Sequence, residues 1–319
     1  MGAVEQYAAA AGVDPATSGL VLDLRGKQHV VLVDRTAGLV WRFPRTPDRL
    51  ALLEDDAARL RAAHRLGLPA PAVLGAVLDA PLGRAHLLLE YLPGIAMDDP
   101  AVRGLDDASA ARLGRDLAAL LARTRCLPAG AWPLPAPEWV GLWQALADEL
   151  SASVVPLLPV ALAERAVADL DRAVHAARRA PQGLIHGDLG GVNLRVDPAT
   201  GALTGVLDWD GAVPGDPAVD TIAVAVGADP RVVASMLAAG PELAGDLERA
   251  RAYVATWALQ EMSWGLRHDD PGLTQDGLAR FAGSLTGQSG SAVSSPASWS
   301  SARPSAARPS PASASRTTR

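Results

Sequence analysis

The polar residues with the clearest chemical potential lie between Leu184 and Ala223. Six of them punctuate this stretch: His186, Asp188, Asn193, Asp208, Asp216 and Asp220. The apolar runs 193–196 and 203–207, separated by a Pro-Ala-Thr-Gly turn, predict a β-hairpin. This hairpin would hold a loop carrying Asp188 and Asn193 beside Asp208, at the end of the second strand. Carboxylate and amide oxygens converging in this way predict a site for a hard divalent cation.

Asn193 is the only asparagine of the chain, and Lys27 is its only lysine. The abundance of alanine and arginine reflects a skewed coding composition rather than a demand of the fold. Against that skew, a single asparagine five residues after Asp188 indicates that an amide oxygen is needed there. Coincidence is the alternative interpretation.

Asp210 is the second carboxylate of an Asp-Trp-Asp triplet that begins at Asp208. Alternate residues of a strand share a face, so both carboxylates could point at the same site. A solvated aspartate in a turn is an equally good interpretation. On the first interpretation we place Asp210 among the substrate-binding residues.

Composition and charge narrow the class of protein. The 319-residue chain has one cysteine, Cys126, and a formal net charge of −6. The segment 284–319 carries four arginines and no acid, so the remainder carries −10. An acidic body argues against nucleic-acid binding and favours a cationic small substrate. Without a signal peptide or an apolar run of about 18 residues, the sequence predicts a cytoplasmic protein that does not enter membranes.

Hydrophobic periodicity predicts two lobes. Residues 20–43 alternate as a three-strand meander, residues 47–66 have a helical pattern, and two strands follow up to a hinge at Pro93 and Gly94. The later chain is mostly helical, with helices expected at 107–124, 138–152, 160–179, 217–226, 230–239 and 242–267. We therefore predict an α+β chain with lobes at 1–91 and 92–283. A tail at 284–319, rich in Ser, Ala, Pro and Arg, is predicted to be disordered.

HGDLGGVN followed by VLDWDGAVPGDPAVD resembles the signature of the aminoglycoside phosphotransferase and choline kinase-like superfamily. The resemblance extends over about residues 20–283 and implies a protein-kinase-like fold with a small antiparallel-sheet lobe and a larger helical lobe. HGDLGG, LDWD and the later ATWALQEMSWGLRHDD are similar to phosphotransferases that act on tuberactinomycin antibiotics such as viomycin or capreomycin.

The resemblance implies a role for each residue of the motif. Asp188 would accept or orient the proton of the substrate hydroxyl, and Asn193 and Asp208 would hold Mg²⁺ against the nucleotide phosphates. His186 would support the loop by hydrogen bonding. Asp216 and Asp220 would be structural. A cap or turn is the alternative role for Asp188.

The sheet lobe departs from the pattern of the family. Such enzymes place a strand lysine on the phosphates and pair it with a helix acid, yet this strand reads LVWRFPR. Arg42 takes the position of the lysine, with Arg45 as the alternative, although arginine is not a neutral replacement. The helix acid would be Asp56, or Glu54 in another register. Gly26 and Lys27 would line a phosphate loop, for which an ordinary hairpin turn is the alternative.

Backbone groups of Glu90 and Leu92 would contact the purine, of ATP or of GTP. Glu261, Asp269 and Asp270 would hold a cationic acceptor. Trp257 and Trp264, seven residues apart, favour core packing over a binding site.

The resemblance implies an ATP-dependent O-phosphotransferase that acts on a small, cationic, hydroxylated antibiotic, as a monomer or a homodimer. A tuberactinomycin is the favoured acceptor, and an aminoglycoside, a macrolide or a metabolite alcohol are the alternatives. Because the strand lysine is missing, a nucleotide-binding pseudokinase module remains a competing hypothesis. A metal-dependent hydrolase is a weaker one, since no second histidine lies near His186.

Overall fold

The computed structural model describes residues 2–16, 19–24, 26, 28–127, 129–132 and 138–283. An antiparallel sheet with three helices comes first, and a mainly helical portion follows. We call the part from the first helix to the fifth strand the sheet lobe, and the part after Gly94 the helical lobe. The predicted α+β, kinase-like arrangement is confirmed. The predicted tail at 284–319 lies outside the described residues.

The sheet lobe follows the predicted order of elements, with one additional helix at its start. Its elements are α1 (Ala3–Ala11), β1 (Leu20–Asp23), β2 (His29–Asp34), β3 (Leu39–Pro44), α2 (Pro47–Ala51), α3 (Leu53–Arg65), β4 (Val73–Val77) and β5 (His86–Glu90). The strands lie in the order β1-β2-β3-β5-β4, and every neighbouring pair is antiparallel. Strand β3 is therefore central.

The alternation along β3 sends Arg42 to the face opposite its neighbours. Trp41 and Phe43 are buried in a small apolar cluster together with Ala8 of α1, which covers that side of the sheet. Since successive side chains of a strand point to opposite faces, Arg42 points away from α1. Gly12 ends α1 with a φ of 71°, a backbone conformation that glycine adopts without steric cost.

The single helix predicted over 47–66 is divided at Leu52 into α2 and α3. Thr46 caps α2 by accepting from the backbone N–H of Arg49, and Pro47 occupies the first turn. Three acids, Glu54, Asp55 and Asp56, fill the first turn of α3. Negative charge stabilises the start of a helix, so these acids favour a new N-terminus at this point.

The helical lobe matches the predicted elements closely. It contains β6 (Ile95–Ala96), α4 (Pro100–Arg103), α5 (Asp107–Cys126), α6 (Trp139–Ser153), α7 (Val160–Arg179), β7 (Gly183–Ile185), β8 (Leu194–Val196), β9 (Leu203–Val206), β10 (Val213–Gly215), α8 (Ala218–Gly227), α9 (Pro230–Ala239), α10 (Leu243–Val254), α11 (Trp257–Arg267) and α12 (Pro271–Gly283). Strands β8 and β9 form the predicted hairpin. The helix predicted over 242–267 is two helices, with the break at Ala255 and Thr256.

One apolar core extends through both lobes. It includes Leu60 of α3, Leu87 of β5, Leu117 of α5 and Trp209 beside β9. A second core lies wholly within the helical lobe, where α6, α7, α10, α11 and α12 pack together. Cys126, at the end of α5, is exposed. Among the described residues, the helices are too short or too polar to span a bilayer.

Candidate active site

A loop that begins directly after β7 carries Asp188. Strand β7 is fixed by its antiparallel pairing with β10, so the loop starts from a rigid position. The backbone N–H of Asp188 donates to Nδ1 of His186 (3.2 Å), and Nε2 of His186 donates to the carbonyl of Leu207 (2.8 Å). These two bonds select the neutral His186 tautomer with its proton on Nε2. The ring also packs edge-on against Trp209, with centroids 4.8 Å apart. His186 therefore joins the Asp188 loop to the end of β9.

Asp220, in the first turn of α8, holds the backbone of the same loop. Its buried carboxylate accepts from the backbone N–H of His186 (2.6 Å) and from that of Gly187 (2.9 Å). Gly187 has a φ of 80°, so the turn that these bonds stabilise requires a glycine. Hydrogen bonds to a carboxylate are stronger than those between neutral groups.

Asp216 anchors the other end of that segment. Its carboxylate accepts from Ala218 N–H (3.0 Å), from Nε and Nη2 of Arg249 (2.8 and 2.7 Å) and from Tyr253 Oη (2.9 Å). Burial, and then the charge of Asp216, raise the pKa of Tyr253 far above its usual range. The contacts of Asp216 and Asp220 are scaffolding contacts.

Asn193 lies at the start of the β8–β9 hairpin and is hydrogen-bonded to Asp188. Its amide Nδ2 donates to the carbonyl of Asp188 (2.8 Å) and, more weakly, to its Oδ2 (3.3 Å). Since the amide nitrogen is occupied, the amide oxygen is the atom that remains for a cation. The backbone carbonyl of Asn193 accepts from Leu207 N–H (2.8 Å), which brings Asn193 beside the residue that precedes Asp208.

Asp208 does not end a strand, and this part of the sequence interpretation was wrong. Strand β9 ends at Val206, Asp208 has left-handed backbone angles (φ 59°, ψ 57°), and residues 209–211 form a 3₁₀ turn. Aspartate tolerates this conformation better than most residues. Asp208 and Asp210 thus come together through a turn, not through the alternation of a strand. The turn packs against α3 of the sheet lobe.

Arg42 is the residue to which both carboxylates of the triplet are bound. Its Nη1 and Nη2 donate to the two oxygens of Asp210 (3.0 and 2.5 Å), and Nη2 also donates to Asp208 Oδ1 (3.0 Å). The side chain of Asp210 is only 5% exposed, whereas that of Asp208 is 37% exposed. Asp210 therefore faces the sheet lobe, and its contact with the acceptor stays a prediction.

Asp56 does not pair directly with Arg42. Its Oδ2 accepts from Nη2 of Arg49 (2.8 Å), and its Oδ1 lies 3.6 Å from Nη1 of Arg59. Arg49 also donates to Asp210 Oδ2 (2.5 Å). The strand arginine and the helix acid are thus joined through Arg49 and Asp210.

The sequence interpretation missed Arg49 and His29. Arg49 precedes Asp56 by seven residues, which is two turns of the single helix predicted over 47–66, so the spacing was a usable signal. His29 of β2 is paired in register with Pro44 of β3, two residues after Arg42. Its Nδ1 accepts from Arg42 Nη2 (3.0 Å). Burial, and then the charge of Arg42, lower the pKa of His29 to about 2, so the ring is neutral.

The charged cluster shifts the pKa values of its carboxyl groups in opposite directions. Burial, followed by the negative charge of Asp210, raises the pKa of Asp56 to about 7. The same two causes raise the pKa of Asp208. Burial alone would also raise the pKa of Asp210, but Arg42 and Arg49 hold it well below its usual range. Asp210 is therefore the carboxylate that stays ionised between the two arginines.

The loop between β1 and β2 is only partly described. Gly26 is exposed, and a Cβ there would lie 2.9 Å from the carbonyl oxygen of His29, so the loop approaches its own backbone closely. Lys27 lies outside the described residues. Arg45 donates through Nε to the His29 carbonyl (3.2 Å) and also contacts the carbonyl of Leu24. Arg45 thus binds the backbone beside this loop and is not part of the Arg42 cluster.

The segment between the lobes places Glu90 and Leu92 differently. The backbone N–H of Glu90 donates to the carbonyl of Ala72 (2.9 Å), so it is not available to a purine. The N–H of Leu92 has no acceptor within the described part of the chain. The side chain of Leu92 packs on Gly205 of β9, where a Cβ would lie 2.4 Å from Leu92 Cδ1.

The three acids near α11 have different partners. Glu261 is paired with Arg280 of α12, and Asp270 caps that helix by accepting from Leu273 N–H (3.0 Å). Asp269 is exposed, has a φ of 55°, and has no hydrogen bond or ion pair with the rest of the described chain. Trp257 is buried, as a packing role requires.

The donor set at the junction fits a hard divalent cation. Asn193 Oδ1 and the partly exposed carboxylate of Asp208 are oxygen donors, the kind that Mg²⁺ prefers, and Mg²⁺ is usually held by few protein ligands together with phosphate and water. The neighbouring arginines suit phosphate oxygens. The arrangement thus brings together the loop of Asp188, the oxygen donors of Asn193 and Asp208, and the guanidinium group of Arg42.

Comparison with known proteins identifies the family. A family model described as the phosphotransferase enzyme family (APH) matches residues 26–271. The viomycin phosphotransferase of Streptomyces vinaceus is 30% identical over 269 residues, which are 80% of this chain and 88% of that protein. Acyl-CoA dehydrogenase family member 10 of Mus musculus is 28% identical over 170 residues, but these are only 15% of its length.

Solved structures show the same fold. The GDP and kanamycin complex of APH(2″)-IIIa has a TM-score of 0.72 at 17% identity, covering 86% of this chain and 95% of that one. The macrolide 2′-phosphotransferase MphH from Brachybacterium faecium has a TM-score of 0.64 at 23% identity, covering 88% and 96%. Taken with the family match, these results show that the chain is a kinase acting on hydroxyl groups, and that it belongs to the phosphotransferase enzyme family.

Proposed function

We propose that this enzyme transfers the γ-phosphoryl group of a purine nucleoside triphosphate to a hydroxyl group of a cationic antibiotic, and so confers resistance. The observation that carries the proposal is the junction in which Asn193 is bonded to Asp188, while Asp208 faces Arg42. A tuberactinomycin peptide is the favoured acceptor. The 30% identity with a viomycin phosphotransferase, extending over most of both chains, supports this choice.

Asp188 would accept the proton of the acceptor hydroxyl as its oxygen attacks the γ-phosphorus and the nucleoside diphosphate leaves. Its backbone is fixed by His186, and the loop that carries it is fixed by Asp220. Most of the rate enhancement would come from placing the hydroxyl and the phosphate in line, and from stabilising the charge on the phosphoryl oxygens.

Asn193 and Asp208 would hold Mg²⁺, which neutralises charge on the nucleotide phosphates. Arg42 would bind those phosphates from the sheet lobe, with Gly26 and Lys27 in the adjoining loop. The carbonyl of Glu90 and the free N–H of Leu92 would contact the purine. Crystal structures of relatives with GDP, ADP and ATP support a purine nucleotide.

The acceptor would be held by acids of the helical lobe. Asp269 is our candidate among the three acids near α11, because Glu261 is paired with Arg280 and Asp270 caps α12. The excess of negative charge over residues 1–283 also favours a cationic acceptor.

The test is nucleotide consumption and product mass with purified enzyme, Mg²⁺, and either ATP or GTP. The acceptors are viomycin, capreomycin, kanamycin, a macrolide and a simple alcohol, each assayed alone. We expect a product heavier by one phosphoryl group with the tuberactinomycins. Phosphorylation of only the simple alcohol would refute the resistance function. Phosphorylation of only kanamycin or only the macrolide would show that the acceptor is an aminoglycoside or a macrolide and not a tuberactinomycin.

A further inference from the structure

The phosphate-side arginine of this chain is held by the helical lobe and not by the helix acid. Arg42 makes a two-point contact with Asp210, while Asp56 is occupied by Arg49 and Arg59. A lysine–acid pair within the sheet lobe is thus replaced by an arginine–aspartate pair between the lobes. A bidentate arginine–carboxylate contact fixes the plane and direction of the guanidinium, which a lysine cannot match.

Arg49 reaches the same carboxylate. The Nη2 atoms of Arg42 and Arg49 each lie 2.5 Å from Asp210 Oδ2, so the two guanidinium groups converge on one oxygen. Like charges this close repel unless an anion lies between them. Asp210, whose 5% exposed carboxylate accepts from both guanidinium groups, supplies that anion.

The arginine pair has capacity left for a ligand. The buried Nε–H of Arg49 has no hydrogen-bond acceptor among the described residues, although the same guanidinium binds two carboxylates through Nη2. Arg42, Arg49 and Arg59 face two fully enclosed carboxylates, Asp56 and Asp210. Arg42 also contacts the partly exposed carboxylate of Asp208. An anion that takes the place of the Asp208 contact would meet Arg42 with Arg49 beside it, since both guanidinium groups contact Asp210 Oδ2.

We propose that Asp210 is a positioning residue that holds Arg42 and Arg49 side by side as a two-arginine clamp for the nucleotide phosphates. Arg49 is then a phosphate-binding residue of the site, and Asp210 acts through the arginines without touching the acceptor. This inference rests on the proposed nucleotide-dependent function.

The test measures ADP and adenosine binding by calorimetry in the presence of EDTA, so that metal ligation does not contribute. The variants are Arg49→Met, Arg49→Lys and Asp210→Asn. We expect ADP to bind about 10- to 100-fold more weakly to Arg49→Met and Asp210→Asn, since each loses charged hydrogen bonds. Arg49→Lys should lose less, because it keeps the charge without the planar fork. Adenosine, which has no phosphate, should bind all variants as it binds the wild type.

Arg59→Met is the matched control. It removes one positive charge from the same network, but Arg59 contacts Asp56 and not Asp210. Its ADP affinity should stay within about threefold of the wild-type value.

The possible outcomes separate the hypotheses. A wild-type protein that binds neither ADP nor adenosine would refute the proposed nucleotide site itself. Normal ADP affinity in both Arg49 variants would overturn the clamp, and these variants decide the question even if Asp210→Asn does not fold. A raised acceptor KM in Asp210→Asn, with unchanged ADP affinity, would return Asp210 to the substrate-binding residues.

Discussion

Asp188 has a backbone fixed from two sides before any substrate arrives. His186 accepts its N–H, and Asn193 donates to its carbonyl. A side chain on such a support loses little entropy when it meets the hydroxyl, so its chemical role can be tested apart from the fold. The proposed mechanism can therefore be tested most directly by replacing Asp188.

Replacing Asp188 by Asn should lower kcat by about 100-fold or more, the size of a general-base contribution. Nucleotide affinity should stay near the wild-type value, because the arginines are untouched and the new amide oxygen can still accept from Asn193. Steady-state kinetics and ADP titration measure the two quantities on one preparation. Turnover within a few-fold of wild type would exclude Asp188 as the base.

The raised pKa of Asp56 makes the free energy of unfolding depend on pH. Its pKa is about 7 when folded and 3.8 when unfolded, so between these values the folded state binds a proton that the unfolded state has released. Stability contributed by this proton is present below pH 4 and is lost as the pH rises through 7. The groups that face Asp56 are His29, Asp210 and three arginines.

Asp56→Asn should remove that dependence. Relative to wild type, its free energy of unfolding should improve from pH 5 to pH 8, by up to about 1.4 kcal/mol per pH unit. Urea titrations across this range give the slope, and Asp48→Asn, an exposed change on α2, is the control. Parallel profiles for wild type and Asp56→Asn would contradict the raised pKa.

At the scale of elements, helix α8 and the Asp188 loop form one unit through Asp220. Asp220→Ala would leave two buried N–H groups without their acceptor. The free energy of unfolding should fall by about 2–5 kcal/mol as a result. Asp197 also accepts two hydrogen bonds, at 2.9 and 2.7 Å, but in the exposed turn of the β8–β9 hairpin. Asp197→Ala should cost much less, since water replaces the lost partner. Equal losses in chemical denaturation would remove the special role of Asp220.

Elements could be predicted from the sequence wherever an apolar periodicity continued over several turns or a full strand. Helices such as α7 and α9, and the β8–β9 hairpin, follow directly from that pattern. Helix α1 was missed because its alanine-rich pattern has a weak apolar face. The break at Leu52 was missed because the acids that favour it are also ordinary helix residues.

The motif that brings Asp188, Asn193 and Asp208 together could be read from the sequence, but the pairings among its side chains could not. The direction of the Asp210 side chain could not be predicted, because it depends on the left-handed turn at Asp208 and no periodicity encodes that turn. Arg49 was missed because its two partners come from different lobes. Side-chain direction at a junction is a tertiary property, and one sequence carries little trace of it.

At the scale of the whole molecule, the lobes share an apolar core as well as an ionic junction. Leu60 and Leu87 of the sheet lobe lie in the same cluster as Leu117 and Trp209 of the helical lobe. Separating the lobes would expose this cluster to water, which is unfavourable in proportion to the apolar area. The lobes should therefore not unfold one at a time.

Equilibrium unfolding in urea should show a single transition for residues of both lobes. Circular dichroism reports mainly on the helical lobe, and Trp41 of β3 can be followed by comparing the wild type with Trp41→Phe. We expect coincident midpoints by both probes. An early change confined to the Trp41 signal would show that the sheet lobe unfolds independently.

Strand β3 carries Arg42 at a position where a lysine would offer a nucleophilic amine. This difference affects chemical labelling. Nucleotide analogues bearing an acyl phosphate transfer their acyl group to a neutral amine beside the bound phosphates. Arg42 offers none, because its guanidinium stays protonated. Lys27 is the sole lysine of the chain, so acylation within the nucleotide site would modify Lys27 or no side chain at all. A single peptide in a mass spectrum would then report whether Lys27 lies beside the bound phosphates.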